Sequence, residues 1–378
     1  MISSTNVFGL MAVLLVLSAI ATRLESTRWG RRISGVGLIL IFTIASAHFS
    51  LIPRSAPIYG TIWTYLVPMA IALFLLKADL VRVVSEGGRV LIAFLAGMVG
   101  TAFGALLAGI LLDIGPNEAS LAAIFSATYT GGSLNFVAVA EAIGFNDKSQ
   151  LAASLAIDNI LGVIFIIALN LAAGWKYAQS QFPWRAEGLV VLGAANEIEE
   201  DGPITLNGLL VGLAVAATVV ALSEGLAAWI GFPQYSLLVL TIIMTLVATL
   251  GRRFVAHLRG EDIVAMIFMY LFFAIIGAGA DIYGMLSAAP TLFALVLIIF
   301  TMHLVFLLAA GKIFKLNYGE LIIASLACVG GPPIAAAIAI LFKWRNLVIP
   351  GILTGILGYV VGNFIGVGIF AVLGGVAS

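Results

Sequence analysis

Two stretches decide how this chain reads: Ser126-Ala-Thr-Tyr-Thr-Gly-Gly132 and Ser325-Leu-Ala-Cys-Val-Gly-Gly331. Each lies in the middle of an apolar segment, 119 to 143 and 320 to 342, and puts a Gly-Gly step where a membrane helix would otherwise run on. In the second, Pro332 and Pro333 follow at once. Glycine weakens a helix, proline removes a donor, and main-chain groups released inside a bilayer must be buried in protein or line a wet cavity. The stretches align at a constant offset of 199, which also pairs Ala138 with Ala337 and Ala140 with Ala339.

Around them the composition is that of a polytopic membrane protein: 378 residues, 62% hydrophobic, 10% charged, mean hydropathy +1.17. Eighteen basic residues balance eighteen acidic ones, so no cationic surface argues for nucleic acid. One cysteine, Cys328, and three scattered histidines exclude an internal disulfide and give no metal-ligand spacing. No phosphate-binding loop, nucleophile elbow or His-Glu-x-x-His occurs, so neither ATP-driven work nor an enzyme, nor any cofactor, is expected. Val7 to Ala21 precedes Arg23, Arg28, Arg31 and Arg32 and reads as a retained span.

Runs of about 20 apolar residues cross a core of about 30 Å. Ten are expected, at 6 to 22, 33 to 52, 58 to 76, 90 to 112, 150 to 174, 205 to 223, 233 to 251, 263 to 281, 290 to 311 and 347 to 375. A polar stretch, 175–204, with Gln179, Gln181 and the acidic cluster Glu197, Glu199, Glu200 and Asp201, reads as a cytoplasmic linker between halves 1–174 and 205–378. If both Gly-Gly segments crossed, the basic residues would divide ten to eight between the two sides. If both dip in and return, they divide sixteen to two, leaving only Arg54 and Lys148 outside. The positive-inside rule selects the second arrangement, with both termini outside the cytoplasm. The expected fold is therefore an all-α polytopic membrane protein: an inverted repeat of five transmembrane helices plus one Gly-Gly re-entrant hairpin per half, one hairpin from each side.

The segments Thr128 to Ala142 and Ala324 to Ala337 resemble the YjcL-like integral membrane family, a family of unknown function, along the whole chain. More distantly, two opposed Gly-Gly hairpins are similar to the 2-hydroxycarboxylate, glutamate:sodium and bile-acid:sodium symporters. That resemblance implies secondary transport coupled to Na+ or H+, an elevator-like movement, a homodimer and a bacterial inner (plasma) membrane. The 2-hydroxycarboxylate type carries Gly-Gly-x-Gly where Ser133-Leu134 and Pro332-Pro333 stand here, so its substrate does not transfer.

The candidate site follows from the residues. Asp158 is the one acid well inside a span, where an unpaired carboxylate costs several kcal/mol and calls for a partner, a proton or a cation. Asn159 beside it and Ser154 one turn before it offer oxygens suited to Na+. The first tip gathers Thr128, Tyr129, Thr130, Gly131, Gly132, Ser133 and Asn135; free amides where a half-helix starts attract an anionic group. The second tip, Gly330, Gly331 and Pro332, offers backbone. Tyr359 and Asn363 share one face of the last span within a glycine run and could complete the site. Glu141, Glu224, Asp281, His48, His257 and His303 read as interfacial, solvated or packing groups, and Lys343-Trp344-Arg345 as an interfacial anchor. The expected function is uptake or export of a small anionic organic solute by an ion-coupled transporter, the solute being a carboxylate, amino acid or short peptide. A channel, or a cation antiporter without an organic substrate, is the alternative.

Overall fold

A computed structural model describes residues 2–27, 35–183, 203–255 and 257–375. Arg28, Arg31 and Arg32 and the acidic cluster Glu197, Glu199, Glu200 and Asp201 lie outside the described residues. The described residues are helical throughout their regular structure, with no strand. The first half contains α1 (Val7–Glu25), α2 (Gly35–His48), α3 (Pro57–Leu75), α4 (Gly88–Leu111), α5 (Glu118–Gly131), α6 (Ser133–Ala142) and α7 (Lys148–Ala173). The second contains α8 (Leu206–Trp229), α9 (Ser236–Leu250), α10 (Glu261–Gly279), α11 (Ile282–Ile313), α12 (Tyr318–Leu341) and α13 (Val348–Val372).

Ten helices among the described residues are long and apolar enough to cross a membrane, and the protein is a polytopic membrane protein. One element differs from the hydropathy reading: α2 ends at His48 rather than near 52, because the backbone turns at Ser50 with φ of 57°. α12 is apolar throughout and is interrupted at Gly331, within the expected Gly-Gly step.

Polar residues set the helix starts. The Asp147 carboxylate accepts from the amides of Ser149 and Gln150 to open α7, and Asn317 and Glu320 form a reciprocal cap that opens α12. Glycine sets the interruptions. Gly132 has φ 89° and ψ 179°, and Gly331 has φ 73° and ψ −175°, a region a Cβ makes costly. The equivalent starts Val7 and Leu206, Glu118 and Tyr318, Lys148 and Val348, like the two interruptions, keep an offset of 199 or 200.

At each interruption the two limbs lie side by side. The rings of Phe125 and Phe136 are 6.5 Å apart, whereas eleven residues of continuous helix would separate them by roughly 16 Å. Asn117, before α5, donates to Gln150 in α7 at 3.1 Å, and a cavity of about 480 Å³ is lined both by 115–120 and by 143–145. In the second half, a Cβ at Gly319 would stand 3.0 Å from Leu347, so the start of α12 and the chain beyond its end share one end of the molecule.

α13 threads both interrupted segments. Its glycines meet the second segment first, with Gly351 against Ile323 and Ala335 and Gly355 against Pro332. Gly358 then lies against Thr130, Gly362 against Ala127 and Asn135, and Gly366 against Val139 and Ala127. Each glycine admits a limb that any Cβ would push away; at Gly366 a Cβ would be 2.7 Å from Val139. The two tips therefore meet midway along α13.

The helices form two bundles. α1 to α3 and α8 to α10 pack mainly among themselves, as do α4 to α7 and α11 to α13, with sparser contact between the groups. Arg54 pairs with Asp281 at 3.9 Å, and the Asp281 amide donates to Ser149 beside Lys148, so both basic residues sit at one end. At the other end Arg89 bonds Glu320 and the carbonyls of Phe314 and Lys315, and Lys77 pairs with buried Glu261 at 2.5 Å.

Candidate functional site

The site is built where the two interruptions face each other. A Cβ at Gly132 would be 3.9 Å from the Gly331 backbone and from the Tyr359 ring; one at Gly331 would be 3.2 Å from the Tyr359 hydroxyl. Tyr359 of α13 thus stands beside both tips, and it is half-buried. Gly131 is pressed against Gly358, and Pro332 against Gly355. Beside the first tip, the Ser133 hydroxyl donates to the Asp158 carboxylate at 3.2 Å, tying the start of α6 to α7. Asp158 is 7% exposed, and a Cβ at Gly162 would stand 3.6 Å from its Oδ1. Asp158, Ser133, Gly132, Gly331 and Tyr359 are therefore one neighbourhood.

Other expected members have different partners. Thr128 and Thr130 donate to the carbonyls of Ile124 and Ser126 one turn back, which turns their hydroxyls onto their own helix. Asn135 donates to the Gly358 carbonyl at 2.7 Å and fastens the first tip to α13. The Asn159 amide donates to Leu155 at 2.7 Å within α7. Asn363 donates to Thr241 of α9 at 3.3 Å, a bond between the two bundles. Ser154 is fully buried one turn before Asp158, and Gly330 abuts Ile334 within its own segment. Glu224 is exposed, Asp281 has Arg54, and Trp344 stacks on Phe342 at the base of α12.

Behind the tips lies a polar link that hydropathy does not reveal. His303 of α11 is fully buried, its Nδ1 3.0 Å from the Gly97 carbonyl and from the Thr101 hydroxyl, its Nε2 2.8 Å from the Ser325 hydroxyl. A carbonyl only accepts, so Nδ1 carries the proton and Nε2 accepts from Ser325. Thr101 also donates to the Tyr129 carbonyl at 3.4 Å, a group that the break at Gly132 deprives of its helical partner. One imidazole thus joins both interrupted segments. Thr101 and Thr241 carry no sequence signal, being single hydroxyls in apolar helices; Ser325 was legible as the counterpart of Ser126.

Residues 12–374 match the family described as "Protein of unknown function (DUF819)". The chain is 31% identical over 382 aligned positions, covering 97% of its length and 96% of the relative's, to the uncharacterized membrane protein YjcL of Bacillus subtilis (strain 168). The chain belongs to that family. Both matches include both interruptions, Asp158 and α13, so the site lies within the part of the chain that the family shares.

Proposed function

We propose that the chain is an ion-coupled secondary active transporter, which holds a small anionic organic solute between the two tips and moves it by sliding one bundle against the other. The solute class is a carboxylate, amino acid or short peptide. One observation carries the reading: two left-handed glycine breaks from separate halves, Gly132 and Gly331, face each other at mid-molecule with Tyr359 beside both. Backbone loosened there is tolerated in a membrane only against protein or a solute cavity, and the first amides of α6 lack intrahelical acceptors and favour a negative group. Under this reading the paired limbs are re-entrant hairpins, entering from opposite sides of the membrane in an inverted repeat of 1–174 and 205–378. The end carrying Arg89, Lys77 and Lys312 is cytoplasmic, as is the linker, and both termini lie outside. The grouping of Arg54 with Lys148 at the opposite end supports that orientation. The bundle of α1 to α3 and α8 to α10 would be the fixed frame and the dimer contact.

Two experiments test this. In a Cys328→Ala background, cysteines placed at Asn146 and Gln179 should react with impermeant reagents from outside and from the cytoplasm, respectively; the reverse pattern rejects the topology. Purified protein screened against carboxylates, amino acids and peptides should be thermally stabilised by a carboxylate-bearing ligand, with gradient-driven uptake of that ligand in vesicles. Uptake at the wild-type rate by both Gly132→Val and Gly331→Val would overturn the solute site.

A further inference from the structure

The geometry points to a binding site for a dehydrated monovalent cation of Na+ size, assembled from the Asp158 carboxylate and the hydroxyls of Ser133, Tyr129 and Ser154. Asp158 is buried, and its hydrogen bond comes from a neutral donor, Ser133, rather than from a basic side chain. A buried carboxylate without a counter-charge is costly, so the charge calls for a cation. Two further hydroxyls point to where that cation sits. The Tyr129 hydroxyl is fully buried, has no partner within 3.5 Å, and faces the Asp158 carboxylate from α5. The Ser154 hydroxyl is also fully buried and unpartnered, on the face of α7 that carries Asp158 one turn later. Buried unsatisfied hydroxyls are rare and costly. One ion liganded by the carboxylate and these hydroxyls offsets the charge and satisfies Ser154 together.

The charge count selects the ion. Among the described residues no three of His, Cys, Asp and Glu gather at one place, so a divalent cation lacks the carboxylates it needs. One carboxylate with neutral oxygens balances a single positive charge. A proton on Asp158 would remove the buried charge but would leave the Ser154 hydroxyl unsatisfied, since Ser133 and Tyr129 already face the carboxyl group. Asn159, which the sequence placed in the site, donates its amide nitrogen to Leu155 within α7, and Tyr129 approaches Asp158 from α5.

The site also suits coupling. Ser133 begins α6 at the first tip, and Tyr129 lies in α5 three residues before the break, so an ion at Asp158 would hold both limbs in the conformation that faces Gly331 and Tyr359. In this respect the site deepens the transporter reading, although ion binding itself does not depend on any solute.

The test therefore uses no solute. The thermal unfolding midpoint of the purified full-length protein is measured in NaCl, KCl and choline chloride at constant ionic strength. The expected result is a midpoint that rises with the logarithm of Na+ concentration, more than with K+, and not with choline. Asp158→Asn should lose the response; Tyr129→Phe and Ser154→Ala should each need about tenfold more Na+ for the same shift, while Asn159→Ala keeps it. An equal response in NaCl and choline chloride, or an undiminished Na+ response in Asp158→Asn, would overturn the site. Should Asp158→Asn not fold, undiminished responses in both Tyr129→Phe and Ser154→Ala would do the same. A failed solute screen with an intact Na+ response would reject the transporter reading and leave the ion site standing.

Discussion

The two tips share a backbone and differ in chemistry. Gly132 and Gly331 adopt nearly the same dihedrals and occupy equivalent places, yet Ser133 and Leu134 follow the first while Pro332 and Pro333 follow the second. Serine and leucine leave main-chain N–H groups at the start of α6, and prolines have none to offer. The first tip also has Asp158 within reach of Ser133, whereas the position equivalent to Asp158 in the second half is Leu357. The second tip is instead anchored from behind, through Ser325 to His303, while its counterpart Ser126 has a buried hydroxyl with no partner. Two breaks with the same backbone geometry are thus set in different surroundings, a carboxylate beside the first and an imidazole behind the second.

Substitutions can break or sharpen that contrast. The largest effect is expected from valine at either break: a β-branched residue at positive φ costs about 2 kcal/mol or more of strain. Gly132→Val and Gly331→Val should both abolish ligand-dependent stabilisation and vesicle uptake. Next is His303→Leu, which strands the Ser325 hydroxyl and removes the donor to Thr101 in a dry interior. We expect a loss of about 3 kcal/mol, read as a lowered unfolding midpoint, with Gln recovering part of it.

The equivalent serines should then separate. Ser325→Ala removes the donor to His303 and should cost about 1–2 kcal/mol, whereas Ser126→Ala removes a hydroxyl that satisfies nothing and should change stability by no more than about 0.5 kcal/mol. Equal costs would show that the two segments are supported alike. The smallest effect is between alanines at the breaks. A methyl at Gly132 finds its neighbours at 3.9 Å, while one at Gly331 meets the Tyr359 hydroxyl at 3.2 Å. Gly331→Ala should therefore be the more damaging by about 0.5–1 kcal/mol, and Tyr359→Phe should narrow the gap.

Much of the fold was legible without coordinates. A bilayer demands long apolar helices, so hydropathy located the spans, and Gly-Gly followed by Ser-Leu or Pro-Pro located the interruptions to the residue. Asp158 stood out because a carboxylate in mid-span has few bland explanations, and the structure duly buries it against the first tip.

What the sequence left open is which groups meet. Thr128, Thr130, Asn135 and Asn159 looked like ligands by type and spacing; in the structure Thr128, Thr130 and Asn159 donate to the carbonyl one turn back, and Asn135 donates across to Gly358 of α13. Tyr129 approaches Asp158, and Thr101 approaches His303, only because limbs distant in sequence fold against α7 and α11. Local sequence determines where a membrane chain must be apolar and where its backbone can break, since those are costs paid residue by residue; the partner of each buried polar atom is set by packing between helices, which no single segment encodes.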